Sequence, residues 1–162
     1  ITLTPSSASI CIGGSVAITA SGASSYTWMP GNLTGTTRTL SPAVTTVYTV
    51  SGTSAAGCLG TRTIAITVIS NPTVTASSSP TAVCAGASAV LSATGATNYT
   101  WTPGNIIGSP ITVTPAISTV YTVTGNTAGC AGTRTVSVIV NPRPTIVAAS
   151  SPTSVCPGFC ST

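Results

Sequence analysis

The chain reads as all-β: two β-sandwiches in tandem, each with one disulfide, and a C-terminal strand-like tail that opens a third repeat. Three observations predict this. The sequence repeats itself, with Cys11 to Cys84 spanning 73 residues and Cys58 to Cys130 spanning 72. Its apolar residues fall in short runs rich in Thr, Val and Ile, without helical periodicity. Four arginines are the only charged side chains, so Ser and Thr hydroxyls, about a third of the chain, must face the water.

The repeat sets the organisation. "YTWMPGN" (26–32) returns as "YTWTPGN" (99–105), and these heptapeptides hold both tryptophans. "TVYTV" and "GTRT" recur in the same order, and "SSPTAVCAG" (78–86) returns once more as "SSPTSVCPG" (150–158). The units are therefore 1–70 and 71–141, with 142–162 as the start of a third.

Within the first unit the strands follow in order. Val16, Ile18 and Ala20 alternate with Ala17 and Thr19, the period of a half-buried strand. "SYTWM" places Tyr26 and Trp28 two apart, on one face, where they fill the sandwich and the indole N–H seeks a backbone carbonyl. Pro30-Gly31 suits the centre of a type II turn, with proline setting φ and glycine supplying φ > 0. "TRTL" (37–40), "TVYTV" (46–50) and "TRTIAITVI" (61–69) complete about seven strands, enough for two sheets. Tyr48 joins Tyr26 and Trp28 as a core aromatic; Tyr99, Trp101 and Tyr121 are their counterparts in the second unit.

A unit of about 70 residues buries a modest core and calls for a covalent staple. Cys11 and Cys58 lie 47 apart, Cys84 and Cys130 lie 46 apart, and each pair brackets one tryptophan motif. The expected disulfides are Cys11–Cys58 and Cys84–Cys130, each contributing roughly 4 kcal/mol by loop-closure entropy. Cys156 and Cys160 lie in the third opening, where pairing with each other is the simplest arrangement.

Composition excludes most chemistry. With no Asp, Glu, His or Lys, the chain lacks the usual general acids and bases and the oxygen and imidazole ligands of metal sites. No catalytic residue, metal or cofactor is expected. Arg38, Arg62, Arg134 and Arg143 are scattered, which does not suit nucleic acid, and Arg62 and Arg134 read as polar interruptions of an apolar strand. No apolar run is long enough to span a membrane. Six cysteines point to an oxidising, extracellular or cell-surface setting. Asn32 in "NLT" and Asn98 in "NYT" are formal glycosylation sequons, the first exposed after its turn and the second less accessible on the tryptophan strand; O-glycans on Ser and Thr fit as well.

The pattern "YTW-x-PGN … TTVYTV … GC … TRT" resembles the tandem Ig-like and PKD-like repeats of secreted bacterial surface proteins and adhesins, especially of Bacteroidota type. The acids of the PKD "WDFGDG" stretch are absent here. Tyr48 and Tyr121 also precede the second cysteine by ten and nine residues, where the antibody pattern has two. The resemblance implies a spacer or adhesive module and no particular ligand.

The expectation is a structural module that self-associates into a filament; the alternative is an adhesin stalk or binding module for a glycan or host surface. Nearly duplicated loops favour the first. The tail, with Ile146, Val147 and Val155, is expected to add as a strand to a neighbouring copy. Having no carboxylate or imidazole side chain, the protein should keep a nearly constant melting temperature from about pH 3 to 8. Thermal melts across that range are the check, and a steep fall on acidification would contradict it.

Overall fold

The computed structural model describes residues 1–149. Among them are sixteen strands and no helix. The first half contains β1 (Thr2–Thr4), β2 (Ala8–Cys11), β3 (Val16–Ser21), β4 (Ser25–Met29), β5 (Leu33–Thr34), β6 (Thr37–Leu40), β7 (Thr46–Thr53) and β8 (Leu59–Ile69). The second half repeats them as β9 (Thr75–Ser79), β10 (Ala82–Cys84), β11 (Ala89–Thr94), β12 (Asn98–Thr102), β13 (Ile106–Ile107), β14 (Ile111–Val113), β15 (Thr119–Thr127) and β16 (Cys130–Asn141).

Each half is a two-sheet sandwich. The first stacks β1-β3-β6 against β2-β8-β7-β4-β5; the second stacks β9-β11-β14 against β10-β16-β15-β12-β13. This is an Ig-like arrangement, with hairpin-linked central strands and a crossover between sheets. The opening segment of each half is two strands where the sequence suggests one. β1 pairs antiparallel with β3, and β2 then pairs parallel with β8, so one segment joins both sheets. Pro5 lies just after β1, where its missing N–H cannot serve a ladder, and Pro80 lies between β9 and β10.

Side-chain alternation builds the cores. Ile18 and Ala20 on β3, Tyr48 and Val50 on β7, and Ile64 and Ile66 on β8 all point inward around the fully buried Trp28. Trp101 has the same place among Leu91, Tyr121, Val123 and Val138. Removing a large ring from a packed core costs about 3–5 kcal/mol, a large share of a small domain's stability. The indoles are satisfied as well as buried: Trp28 Nε1 donates to the Gly35 carbonyl at 2.8 Å, and Trp101 Nε1 to that of Gly108 at 3.0 Å. The Tyr26 hydroxyl accepts from Ala23 N at 2.7 Å and donates to Ala23 O at 3.0 Å. Tyr99, only half-buried, makes the same pair of bonds with Ala96.

Some local features differ from the sequence reading. Gly31 and Gly104 have positive φ in their turns, but a cis peptide precedes each proline and the following Asn32 and Asn105 are also left-handed, at 51° and 50°. Asn98 opens β12 and is exposed, like Asn32, because strand alternation turns it away from the face of Tyr99 and Trp101. Residues 142–149 form no strand, and Ile146 and Val147 are 88% and 86% exposed. Val155, Cys156 and Cys160 lie outside the described residues.

The link between the halves runs close over the second sandwich. A Cβ on Gly132 would collide with the Pro72 carbonyl oxygen, whereas one on the equivalent Gly60 would meet only the Ile1 side chain, at an ordinary 3.7 Å. Gly132→Ala should therefore destabilise the second half by about 1–3 kcal/mol, because backbone has to shift. Gly60→Ala should stay within about 0.5 kcal/mol of the parent. Denaturant unfolding of the two variants provides the comparison, and equal costs would remove the linker contact from the explanation.

Candidate functional site: the cysteine junction

The cysteines lie at opposite poles of each sandwich. Cys11 ends β2, and the parallel register sets it beside Ile69, the last residue of β8. Cys58 lies in the hairpin loop before Leu59, the first residue of β8. Eleven residue steps of extended strand separate the two ends, about 35 Å at ~3.3 Å per residue. A disulfide needs Cα atoms roughly 4.4–6.8 Å apart. The second half repeats the geometry, with Cys84 beside Asn141 at one end of β16 and Cys130 at the other.

The expected pairings Cys11–Cys58 and Cys84–Cys130 are therefore corrected. The disulfide joins Cys11 to Cys130, across 119 residues of sequence, with a Cα–Cα distance of 5.5 Å. It ties the C-terminal pole of the first sandwich to the hairpin at the N-terminal pole of the second, alongside the linker. A separation of 47 residues in sequence is no guide to closeness when a long strand lies between.

Local hydrogen bonds hold each cysteine in place. Cys130 follows Ala128 and Gly129, both with positive φ, in a two-residue loop of the kind that matches strand twist. Cys58 N donates to Ser54 Oγ at 3.1 Å, and Ser54 N donates to the Cys58 carbonyl at 2.9 Å. The Cys11 carbonyl accepts from Gly14 N at 2.8 Å; in the second half the Cys84 carbonyl accepts from Ala87 N at 2.9 Å. Cys130 is buried and Cys11 half-buried. Cys58 and Cys84 are exposed and have no disulfide partner among the described residues.

The arginines do not form a site together. Arg62 and Arg134 are exposed on β8 and β16, in stretches that β2 and β10 leave uncovered, where a charge discourages edge pairing. Arg38 is on the edge strand β6 opposite Ile18, with Nη1 donating to the Thr34 carbonyl at 3.2 Å and Nε buried without a partner. Arg143 Nε donates to the Ala85 carbonyl at 2.9 Å, near Cys84. A shallow groove between β1 and β8 is lined by Ile1, Thr2, Leu3, Ser6, Arg62 and Thr63, and holds one charged side chain. Among the described residues no three His, Cys, Asp or Glu side chains gather to hold a metal, and no helix is long and apolar enough to cross a membrane.

No protein-family model matches this chain, and no curated protein does. Solved structures similar to it include the amphioxus IgVJ-C2 molecule, at 16% identity, covering 81% of this chain and 99% of that one with a TM-score of 0.38. Murine CEACAM1b is 13% identical, covering 87% and 98%, with a TM-score of 0.42. Domains 3–5 of the extracellular part of Drosophila OTK are 14% identical, covering 83% and 59%, with a TM-score of 0.49.

The junction makes a direct prediction. Non-reducing digestion and mass spectrometry should recover a peptide pair linking Cys11 to Cys130, and reduction should widen the distribution of distances between the halves in small-angle scattering. Recovery of Cys11–Cys58 peptides would contradict the fold, since it would need two ends of one strand to meet.

Proposed function

We propose that this chain is a non-enzymatic structural module of an extracellular fibre, in which Ig-like sandwiches joined end to end set length and stiffness. The observation that supports this most is the Cys11–Cys130 disulfide, because it spans two sandwiches and leaves the inside of each to packing and hydrogen bonds. A bond in that position restrains bending between units, which is what a stalk or filament requires. The short, proline-containing linker acts in the same sense.

Other features fit the reading. The resemblance to repeats of Bacteroidota-type surface proteins supports a setting outside the cell, where disulfides persist. A surface of Ser and Thr, with exposed sequons at Asn32 and Asn98, suits a glycosylated exterior. Each sandwich already holds its own opening strands, β1 and β2 or β9 and β10, so contact between ends accounts for assembly more simply than a donated strand filling a gap.

Electron microscopy of the native material is the test. Filaments with an axial repeat of about 70–80 Å, two strand-lengths of ~35 Å with their loops, are the expected result. Monodisperse two-bead particles that bind a glycan or a host surface would favour the adhesin reading instead.

A further inference from the structure

Each sandwich carries one cysteine at its C-terminal pole and one at its N-terminal hairpin, and the junction between the two sandwiches uses one of each. The two left over are complementary: Cys58 at the hairpin pole of the first sandwich, Cys84 at the opposite pole of the second. From this juxtaposition we propose that copies of this chain join head to tail through a Cys84–Cys58 disulfide, so that the next copy's first sandwich docks on this copy's second as the second docks on the first. The inference rests on the fibre reading and gives it a covalent joint.

The poles match beyond sulfur. Cys84 stands against Asn141 as Cys11 stands against Ile69, with the same carbonyl bond to the residue three further on. Over Gly52 the Ile1 side chain occupies the place that Val74 has over Gly125. Gly132 is required to be glycine by the Pro72 carbonyl above it, whereas nothing inside the first sandwich requires glycine at position 60. The Asn-Pro that supplies this carbonyl, Asn71-Pro72, recurs as Asn141-Pro142 beside Cys84. In the proposed joint, Pro142 of one copy lies over Gly60 of the next. Both thiols are exposed, so neither sandwich has to open for them to meet.

The chemistry balances with a small disulfide such as oxidised glutathione as the oxidant. The Cys84 thiolate attacks one glutathione sulfur, expels a glutathione thiolate and forms a mixed disulfide. The Cys58 thiolate of the next copy then attacks the Cys84 sulfur and expels the second. The two cysteine protons end on the two glutathione thiols released.

The test uses the full chain, oxidised with glutathione disulfide and resolved on non-reducing gels with peptide mapping. A ladder of multiples is expected, carrying Cys84–Cys58 peptides between copies. Cys58→Ser and Cys84→Ser variants should each fail to extend, while a mixture of the two should stop at a dimer joined Cys84–Cys58. Gly60→Ala should lower the ladder at least tenfold while moving the melting temperature by no more than about 4 °C. Peptides joining Cys84 to Cys84, Cys58 to Cys58, or Cys84 to Cys156 or Cys160 within one chain would overturn the proposal, as would a ladder indifferent to Gly60→Ala. Filaments that persist unchanged in the Cys58→Ser, Cys84→Ser double variant would remove the covalent joint and leave the fibre reading standing. If filaments are lacking and yet the Cys84–Cys58 ladder forms, the joint stands and the fibre reading fails.

Discussion

The parallel pairing of β2 with β8, repeated by β10 with β16, is the constraint on which the rest of the molecule depends. By crossing from one sheet to the other, the opening segment joins both sheets of each sandwich. Its place along β8 is what matters most. Because β2 runs alongside β8, it carries Cys11 to the pole where the chain leaves the unit, far from the hairpin that carries Cys58. Reversing β2 in place would move Cys11 only from beside Ile69 to beside Ile66, about 10 Å at ~3.3 Å per residue, and would still leave it far from the hairpin. The place of one short strand along its neighbour thus decides whether the disulfide staples a domain or a junction.

Stability within each unit then falls to packing and hydrogen bonds. A tryptophan with its N–H satisfied by a carbonyl seven residues later fills the middle of each sandwich, and a tyrosine two residues before it bonds back to the approaching turn. Neither device needs charge. Surface strands are laced by hydroxyls in the same way: Thr19 with Thr37 at 3.0 Å, and Thr75 with Thr94 at 2.7 Å. Such bonds are insensitive to acid and little affected by salt. The few charges are left for edges, at Arg62 and Arg134, where one side of β8 and of β16 runs without a neighbour.

The arrangement is modular in a specific sense. Every unit presents the same two poles, so the rule that joins the first to the second is available at both ends of the chain. Close approach of the linker carbonyl to Gly132 and the disulfide beside it act on the same joint, one excluding side-chain bulk and the other fixing distance. A joint of this kind resists both bending and rotation, whereas a flexible linker alone would resist neither.

Much of this was legible in the amino-acid order, because it rests on local rules. Alternation of Ile18 and Ala20 with Ala17 and Thr19, or of Tyr48 and Val50 with Thr49, names the inward face from period alone. The duplicated tryptophan motif marks the centre of each sandwich, and the absence of acids and imidazole leaves most catalysis without the side chains it needs. What the order could not decide is pairing between distant segments. Ala8 meets Ile66 across 58 residues, and no local pattern tells parallel from antiparallel. Arg38 reads only as one of four scattered charges, though it lies on β6 opposite the buried Ile18, with its Nε buried. The cysteines show the limit best: intervals of 47 and 46 residues suggest two closed domains, but sulfur atoms bond by distance in space, and only the course of β2 and β10 sets that distance.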